Sequence, residues 1–402
     1  MAEATVRSIP LLRLISVLGI GQIISWGSLY YSLAVLATPI RAELGFSEFM
    51  TFGAFTLGLL SSGAVAPWVG RRIDRDGGRQ IMAGGALVAA VALLILAAAQ
   101  GPLSFVLGWI LAGLAMAACL YDAAFATLHQ AEPQLYRRLV TAVTLFGGFA
   151  STVFWPLSNA LASHWGWREA LVLFALLHLL LCAPAYFALL PRARRHTVGS
   201  APAAAATSFT APDKRFYWLA ASFALSLFIF GALSAFLIAA LTSRGFSTDD
   251  AVWIAALVGP MQVLGRIAEW TFASRIAASR VGVIAAASML FAVILLGTMP
   301  NGPLVGCVFA LCYGAANGLL TIVRGTVPAE LFQHAAVGTL LGRLARPAFA
   351  AKALAPATFA GLLSLGMSMR TGLAMLAVLA VAALACFVRA IRPLQPETAK
   401  QF

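Results

Sequence analysis

The chain has 402 residues, of which 61% are hydrophobic and only 10% charged, and its mean hydropathy is +0.91. Soluble domains carry about 25% charged residues, so a water-soluble fold is excluded and a polytopic membrane protein is expected. The net charge of +13 does not point to nucleic acid, because the basic residues sit in short segments between apolar runs, as the positive-inside rule describes.

A spanning helix needs about 20 mostly apolar residues. Twelve such segments can be placed, at 13–39, 49–70, 80–99, 103–130, 139–163, 168–190, 216–242, 249–270, 281–299, 303–328, 338–364 and 370–390. The opening MAEATVRSIPLLRLI has no small-residue cleavage site and leads straight into a full span, so no cleavable signal peptide is expected. Assigning the N-terminus to the cytoplasm places Arg7, Arg13, Arg71, Arg72, Arg75, Arg79, Arg137, Arg138, Arg192, Arg194, Arg195, Lys214, Arg215, Arg266, Arg275, Arg280, Arg389, Arg392 and Lys400 inside, against Arg41, Arg168, Arg244 and Arg370 outside. That asymmetry predicts both termini on the cytoplasmic side. The five cysteines (Cys119, Cys182, Cys307, Cys312, Cys386) all lie within apolar runs and read as small hydrophobic residues rather than disulfides or metal ligands.

In span one, Gln22, Trp26 and Tyr30 recur every fourth residue and share a helix face. An amide, an indole and a phenol together suit a ligand with an apolar body and a polar head; interhelical packing would use the same residues. The connection after span two reads GRRIDRDGGRQ, residues 70–80. Gly70 allows close helix approach, Asp74 at a helix end can accept from arginines or a neighbouring helix N-terminus, and Gly77 with Gly78 permits a tight turn. This loop resembles the signature G-x-x-x-D-R-x-G-x-R of the major facilitator superfamily, with Gly70, Asp74, Arg75, Gly77 and Arg79 on the pattern. The resemblance in span number, linker and repeat covers the whole chain. It implies an all-α membrane fold of two six-helix bundles and a conformational latch between them. In that latch Asp74 docks near the start of span eleven, and Arg75 or Arg79 reaches an acid on span four, Asp122 or Glu132. The alternative is a topology anchor with a tight turn.

Span four carries Asp122 inside apolar sequence, and span six carries His178, expected to be neutral and hydrogen-bonded. Residues 191–215 form a Pro/Ala/Ser/Thr-rich linker with basic ends, dividing the chain into an N-terminal bundle, 1–190, and a C-terminal bundle, 216–402. The halves look like repeats: RLISVLGIGQ at Arg13 parallels RFYWLAASFA at Arg215, an offset of 202, and the two GFS triplets lie 200 apart. GRRID at Gly70 parallels GRIAE at Gly265, matching Asp74 with Glu269, so Gly265 and Glu269 are candidates for a second, decayed latch. Two bundles repeated along the membrane normal form a transporter architecture.

Span eight offers Gln262 and Arg266 at i, i+4. Span ten carries Tyr313, Asn317, Thr321 and Arg324 on one side, with Arg324 about 6 Å along the axis before Pro328. The offset of 202 pairs Arg324 with Asp122. In the superfamily it resembles, spans one, four, seven and ten face the central cavity, which implies that the two charges meet there. They would form a gate or binding pair; a permanent salt bridge or a snorkelling arginine is the alternative. Span eleven holds Arg343, Arg346 and Lys352. Lys352 lies about 180° around the helix from Arg343, so the three cannot face one point. A desolvated lysine can lose its charge, which makes Lys352 a candidate for holding an anion or carrying a coupling proton.

Four intramembrane bases to one acid (Asp122) favour an anionic ligand. Span five lacks the G-x-x-x-G-P-x-x-G-G pattern of drug/proton antiporters. SWGSLYYSLAVLATPIRAELGFS in span one and GWR at 166–168 are similar to the bacterial monocarboxylate-transporter-like branch. The expected function is secondary transport of a small organic anion by alternating access, with a proton as candidate co-substrate, by a monomer in the bacterial inner membrane. An efflux pump for an amphipathic compound is the alternative, and a membrane-embedded receptor or enzyme the remaining class. No nucleophile–base pair or metal cluster is visible, no cofactor is expected, and no P-loop is present for ATP drive.

Overall fold

The computed structural model describes residues 11–192, 214–272, 275–298, 302–332 and 336–392. Arg7, Arg194, Arg195, Lys400 and most of the linker lie outside them. Among the described residues every regular element is helical, as a chain in lipid requires if each backbone polar group is to be satisfied. The spans are α1 (Leu11–Leu44), α2 (Glu48–Asp76), α3 (Gly78–Ala97), α4 (Pro102–Ala131), α5 (Pro133–His164), α6 (Trp167–Leu189), α7 (Lys214–Ser243), α8 (Asp249–Phe272), α9 (Ala278–Thr298), α10 (Pro303–Leu331) and α12 (Met369–Ile391). All eleven are long and apolar enough to cross a membrane. The helix between the last two, α11 (Val337–Ser364), is of similar length but carries Arg343, Arg346 and Lys352.

Local chemistry sets the span ends. The Ser47 hydroxyl accepts from the Met50 amide to start α2, and Ser368 does the same for Thr371 at α12. Gly77, at φ 84°, makes the abrupt turn from α2 into α3, a conformation that a residue with a Cβ adopts at a cost. Leu14, Leu18, Phe105, Trp109 and Phe174 belong to a core shared by α1–α6. Ile229, Leu233, Phe309 and Leu376 belong to one shared by α7–α12.

Among the described residues four spans depart from regular α geometry; α5 opens with a 3-10 turn at Pro133–Leu135 and is interrupted at Phe149. α1 contains a π-helical turn at Gly27–Tyr31 and α6 another at Leu177–Cys182. α4 breaks at Leu120, whose backbone is extended (φ −84°, ψ −171°), and restarts at Tyr121. Breaks of this kind inside a membrane persist where they line a cavity or are buried in protein.

Candidate functional site

The connections after α2, α4, α8 and α10 share one end of the bundle, the basic end. There, the first six helices meet the last six through α2 against α11 and α5 against α8. Along the first seam the backbones touch: a Cβ on Gly70 would land on the Gly338 carbonyl. α11 starts without a side-chain cap of its own, and Asp74 supplies one from α2. Its carboxylate accepts from the Gly338 amide at 2.8 Å, the Thr339 amide at 2.6 Å and the Thr339 hydroxyl at 2.7 Å. Those two amides are among the orphan donors of a helix N-terminus, where negative charge is favoured. Across the second seam Glu269 accepts from Arg137 Nε at 2.8 Å and from the Thr141 hydroxyl at 2.5 Å, and Arg137 also donates to the Ile276 carbonyl at 2.6 Å. Arg266 donates to the Thr144 carbonyl at 2.8 Å, and the Tyr136 hydroxyl donates to the Gly325 carbonyl at 2.7 Å.

Above this floor, cations and aromatic rings come together. The extra residue of the π turn brings both tyrosines of α1 to Trp26, with ring centroids 5.2 Å (Tyr30) and 6.1 Å (Tyr31) away. Tyr121, the first residue after the α4 break, lies 5.2 Å from Trp26. Lys352, only 8% exposed, places Nζ 4.0 Å from the Tyr30 ring centroid, 5.2 Å from Phe230 and 5.5 Å from Trp26. Arg266 is 4% exposed. Its guanidinium and the Tyr121 hydroxyl occupy the space beside Gly148 and Gly147 of α5. Asp122, in the first turn after the break, stands 3.5 Å from Arg324 Nη2, and Arg324 lies 5.5 Å from the Phe349 ring. Among the described residues no carboxylate forms an ion pair with Lys352 or Arg266. Trp155, against which Tyr31 packs at 6.0 Å, lines a groove of about 640 Å³ with Ser151, Thr152 and Asn159.

Several sequence expectations change. Arg75 does not reach span four: it forks onto Asp76 with two 2.8 Å bonds. Arg79 stacks on Phe187 of α6 at 4.4 Å. Asp122 is out of reach by depth, lying about 14 Å along α4 from its basic end and facing Arg324; Glu132, at that end, is passed over because Asp76, next in sequence, takes the Arg75 guanidinium and Phe187 the Arg79 one. Gly265 faces Ala315 of α10, inside its own half, so it takes no part in a contact between halves. Arg346 is exposed and lies about 120° around α11 from Lys352, on a different face of the helix. Gln22 does not present its amide nitrogen to a ligand: Nε2 donates to the Cys119 carbonyl at 2.7 Å, an acceptor left open by the break in α4. Gln262 is half-buried one turn from Arg266. Tyr313 and Asn317 are buried in α10, with Tyr313 stacked on Phe309 at 5.3 Å.

The sequence reading missed Tyr31, Tyr121, Phe230, Arg137 and Thr141. The YY pair after SWGSL was a signal of sorts, but α periodicity turns Tyr31 away from Trp26. Only the π turn brings it back.

A family model described as Major Facilitator Superfamily matches residues 18–342. No curated protein sequence matches the chain. Among solved structures, the human organic anion transporter MFSD10 (TETRAN) is 17% identical with a TM-score of 0.72, over 94% of this chain and 99% of that one. The E. coli fucose:proton symporter FucP is 13% identical with a TM-score of 0.73, over 96% and 100%. The proton:xylose symporter XylE is 16% identical with a TM-score of 0.71, over 94% and 95%. At such identities the likeness is one of fold. The family match covers most of the sequence, and the chain belongs to the Major Facilitator Superfamily, a multi-pass membrane transporter and not an enzyme.

Proposed function

We propose that the chain carries a small, monocarboxylate-like organic anion across the bacterial inner membrane by alternating access. The bundles 1–190 and 216–402 rock about the cluster of Trp26, Tyr30, Tyr31, Tyr121, Arg266, Arg324 and Lys352, and both termini lie in the cytoplasm. The observation that carries the reading is a charge imbalance. Among the described residues, Lys352 and Arg266 are buried with no acid paired to them, while Asp122, the carboxylate in the cluster, already faces Arg324. Buried cations without counter-ions are costly, and an anion entering the cluster offsets that cost. The rings around Lys352 suit the apolar body of such a ligand. MFSD10, described as an organic anion transporter, shares the fold.

Asp122 is the proton-carrying candidate. Its 3.5 Å separation from Arg324 exceeds the roughly 2.7–2.9 Å of a tight charge-assisted bond, so the pair is open to a competing proton or substrate. FucP and XylE are described as proton symporters.

The test is uptake by proteoliposomes across a panel of labelled carboxylates, with and without a pH gradient. The expected result is saturable anion uptake, with Lys352→Met lowering Vmax/KM at least tenfold. Saturable flux of cationic dyes with no anion uptake overturns this reading in favour of the amphipathic efflux pump.

A further inference from the structure

The two π turns among the described residues touch. Ser28 lies in the π turn of α1 and His178 in that of α6, and Ser28 Oγ is 2.8 Å from His178 Nε2. Both residues are fully buried. π-helical residues make up well under about 1% of proteins and gather at functional sites, so two of them joined by a buried hydrogen bond call for a cause.

In α6 the cause is covalent. Pro184 has no amide hydrogen to give the Leu180 carbonyl, and its ring crowds that carbonyl; the Ala183 amide bonds the His178 carbonyl in a π pattern instead. α1 has no proline at the corresponding place. Its turn is held by side chains: the Ser28 hydroxyl donates to the Ile24 carbonyl at 2.7 Å, and the Ser32 hydroxyl donates to the Ser28 carbonyl at 2.6 Å. The single Ser28 proton is therefore committed to Ile24, so the bond to His178 must run the other way, from Nε2–H to Ser28 Oγ. The network assigns the proton to Nε2. It leaves Nδ1 a bare acceptor, in keeping with its burial without a partner.

We infer that His178 is a positioning residue for the transport site: its hydrogen bond to Ser28 holds the π turn of α1 and so turns Tyr31 as well as Tyr30 toward Trp26, which with Tyr30 also faces Lys352. The proline of a peripheral helix thereby sets the face that a cavity helix presents. Without the bond, α1 relaxes toward regular α geometry, and one residue less in the turn rotates Tyr31 by about 100°. The inference rests on the reading that this cluster is the transport site, but its geometric part can be tested without any substrate.

The reporter is Tyr31→Cys in a protein whose native cysteines are replaced, labelled in the full-length protein with an anionic methanethiosulfonate. Substituting His178→Leu or His178→Asn removes a donor at the Nε2 position, whereas the longer amide of His178→Gln reaches it. Leu and Asn should slow labelling about tenfold, and Gln should stay within twofold of histidine. Ser28→Ala, which deletes the acceptor with little change in volume, should match Leu and serves if Leu fails to fold. Equal rates in all variants, or equal slowing by Gln, Asn and Leu, overturn the inference. In parallel, carboxylate uptake by His178→Leu should show a raised KM with Vmax retained. Absence of carboxylate uptake in the unsubstituted protein removes the anion reading and leaves the labelling result standing.

Discussion

The α2–α11 and α8–α5 seams occupy equivalent places in the two-fold repeat and solve the same problem differently. On the first, Asp74 caps the backbone of α11, and Gly70 lets the helices close to backbone contact. On the second, Glu269 holds side chains, Arg137 and Thr141, and its glycine, Gly265, faces its own half. An acid on amide donors engages partial charges and rigid geometry. An acid on a guanidinium engages a full charge that other anions can contest. The difference teaches that sequence equivalence within a repeat does not carry over to bonding. It also places the exchangeable partners on the seam that holds Arg266, one turn from Glu269.

The comparison breaks most readily at Glu269. Its side chain is 1% exposed and that of Arg137 24%, so Glu269→Ala leaves a largely buried charge unpaired and should destabilise closure of the basic end by about 3 kcal/mol. Spin labels at Gln134→Cys and Ala277→Cys, on the two sides of this seam, should report a broadened and lengthened distance. An unchanged distance distribution would equate the two seams. Asp74→Ala removes a cap, worth about 1–2 kcal/mol, and should shift the same equilibrium less; a larger shift than that of Glu269→Ala reverses the ranking. Arg75→Ala should leave both the distance distribution and uptake unchanged, because Arg75 is solvent-exposed and bonds only its neighbour Asp76. A measurable loss would restore the role for Arg75 that the loop pattern suggested.

How much of this was legible follows from what each feature depends on. Apolar run length reports spans directly, so the predicted 370–390 and 49–70 fall within α12 and α2, and α2 extends further only through the largely polar residues at its ends. The repeat offset of 202 leads from Arg324 to Asp122, and the two stand 3.5 Å apart. The loop pattern named Asp74 but misassigned Arg75, because a motif records residues and not which neighbour wins them. Regular α periodicity placed Gln22, Trp26 and Tyr30 on one stripe and lost Tyr31, since a π turn changes the period without changing hydropathy.

Composition and run length thus determined by themselves that this is an all-helical, multi-pass membrane protein, because burial in lipid is decided residue by residue along the chain. Which polar groups meet was decided only in the tertiary structure. Leu120 breaks α4, Gln22 bonds the carbonyl freed there, and His178 bonds the serine in the π turn of α1. Each of those bonds joins segments about a hundred residues or more apart, and its formation depends on geometry that no local pattern encodes.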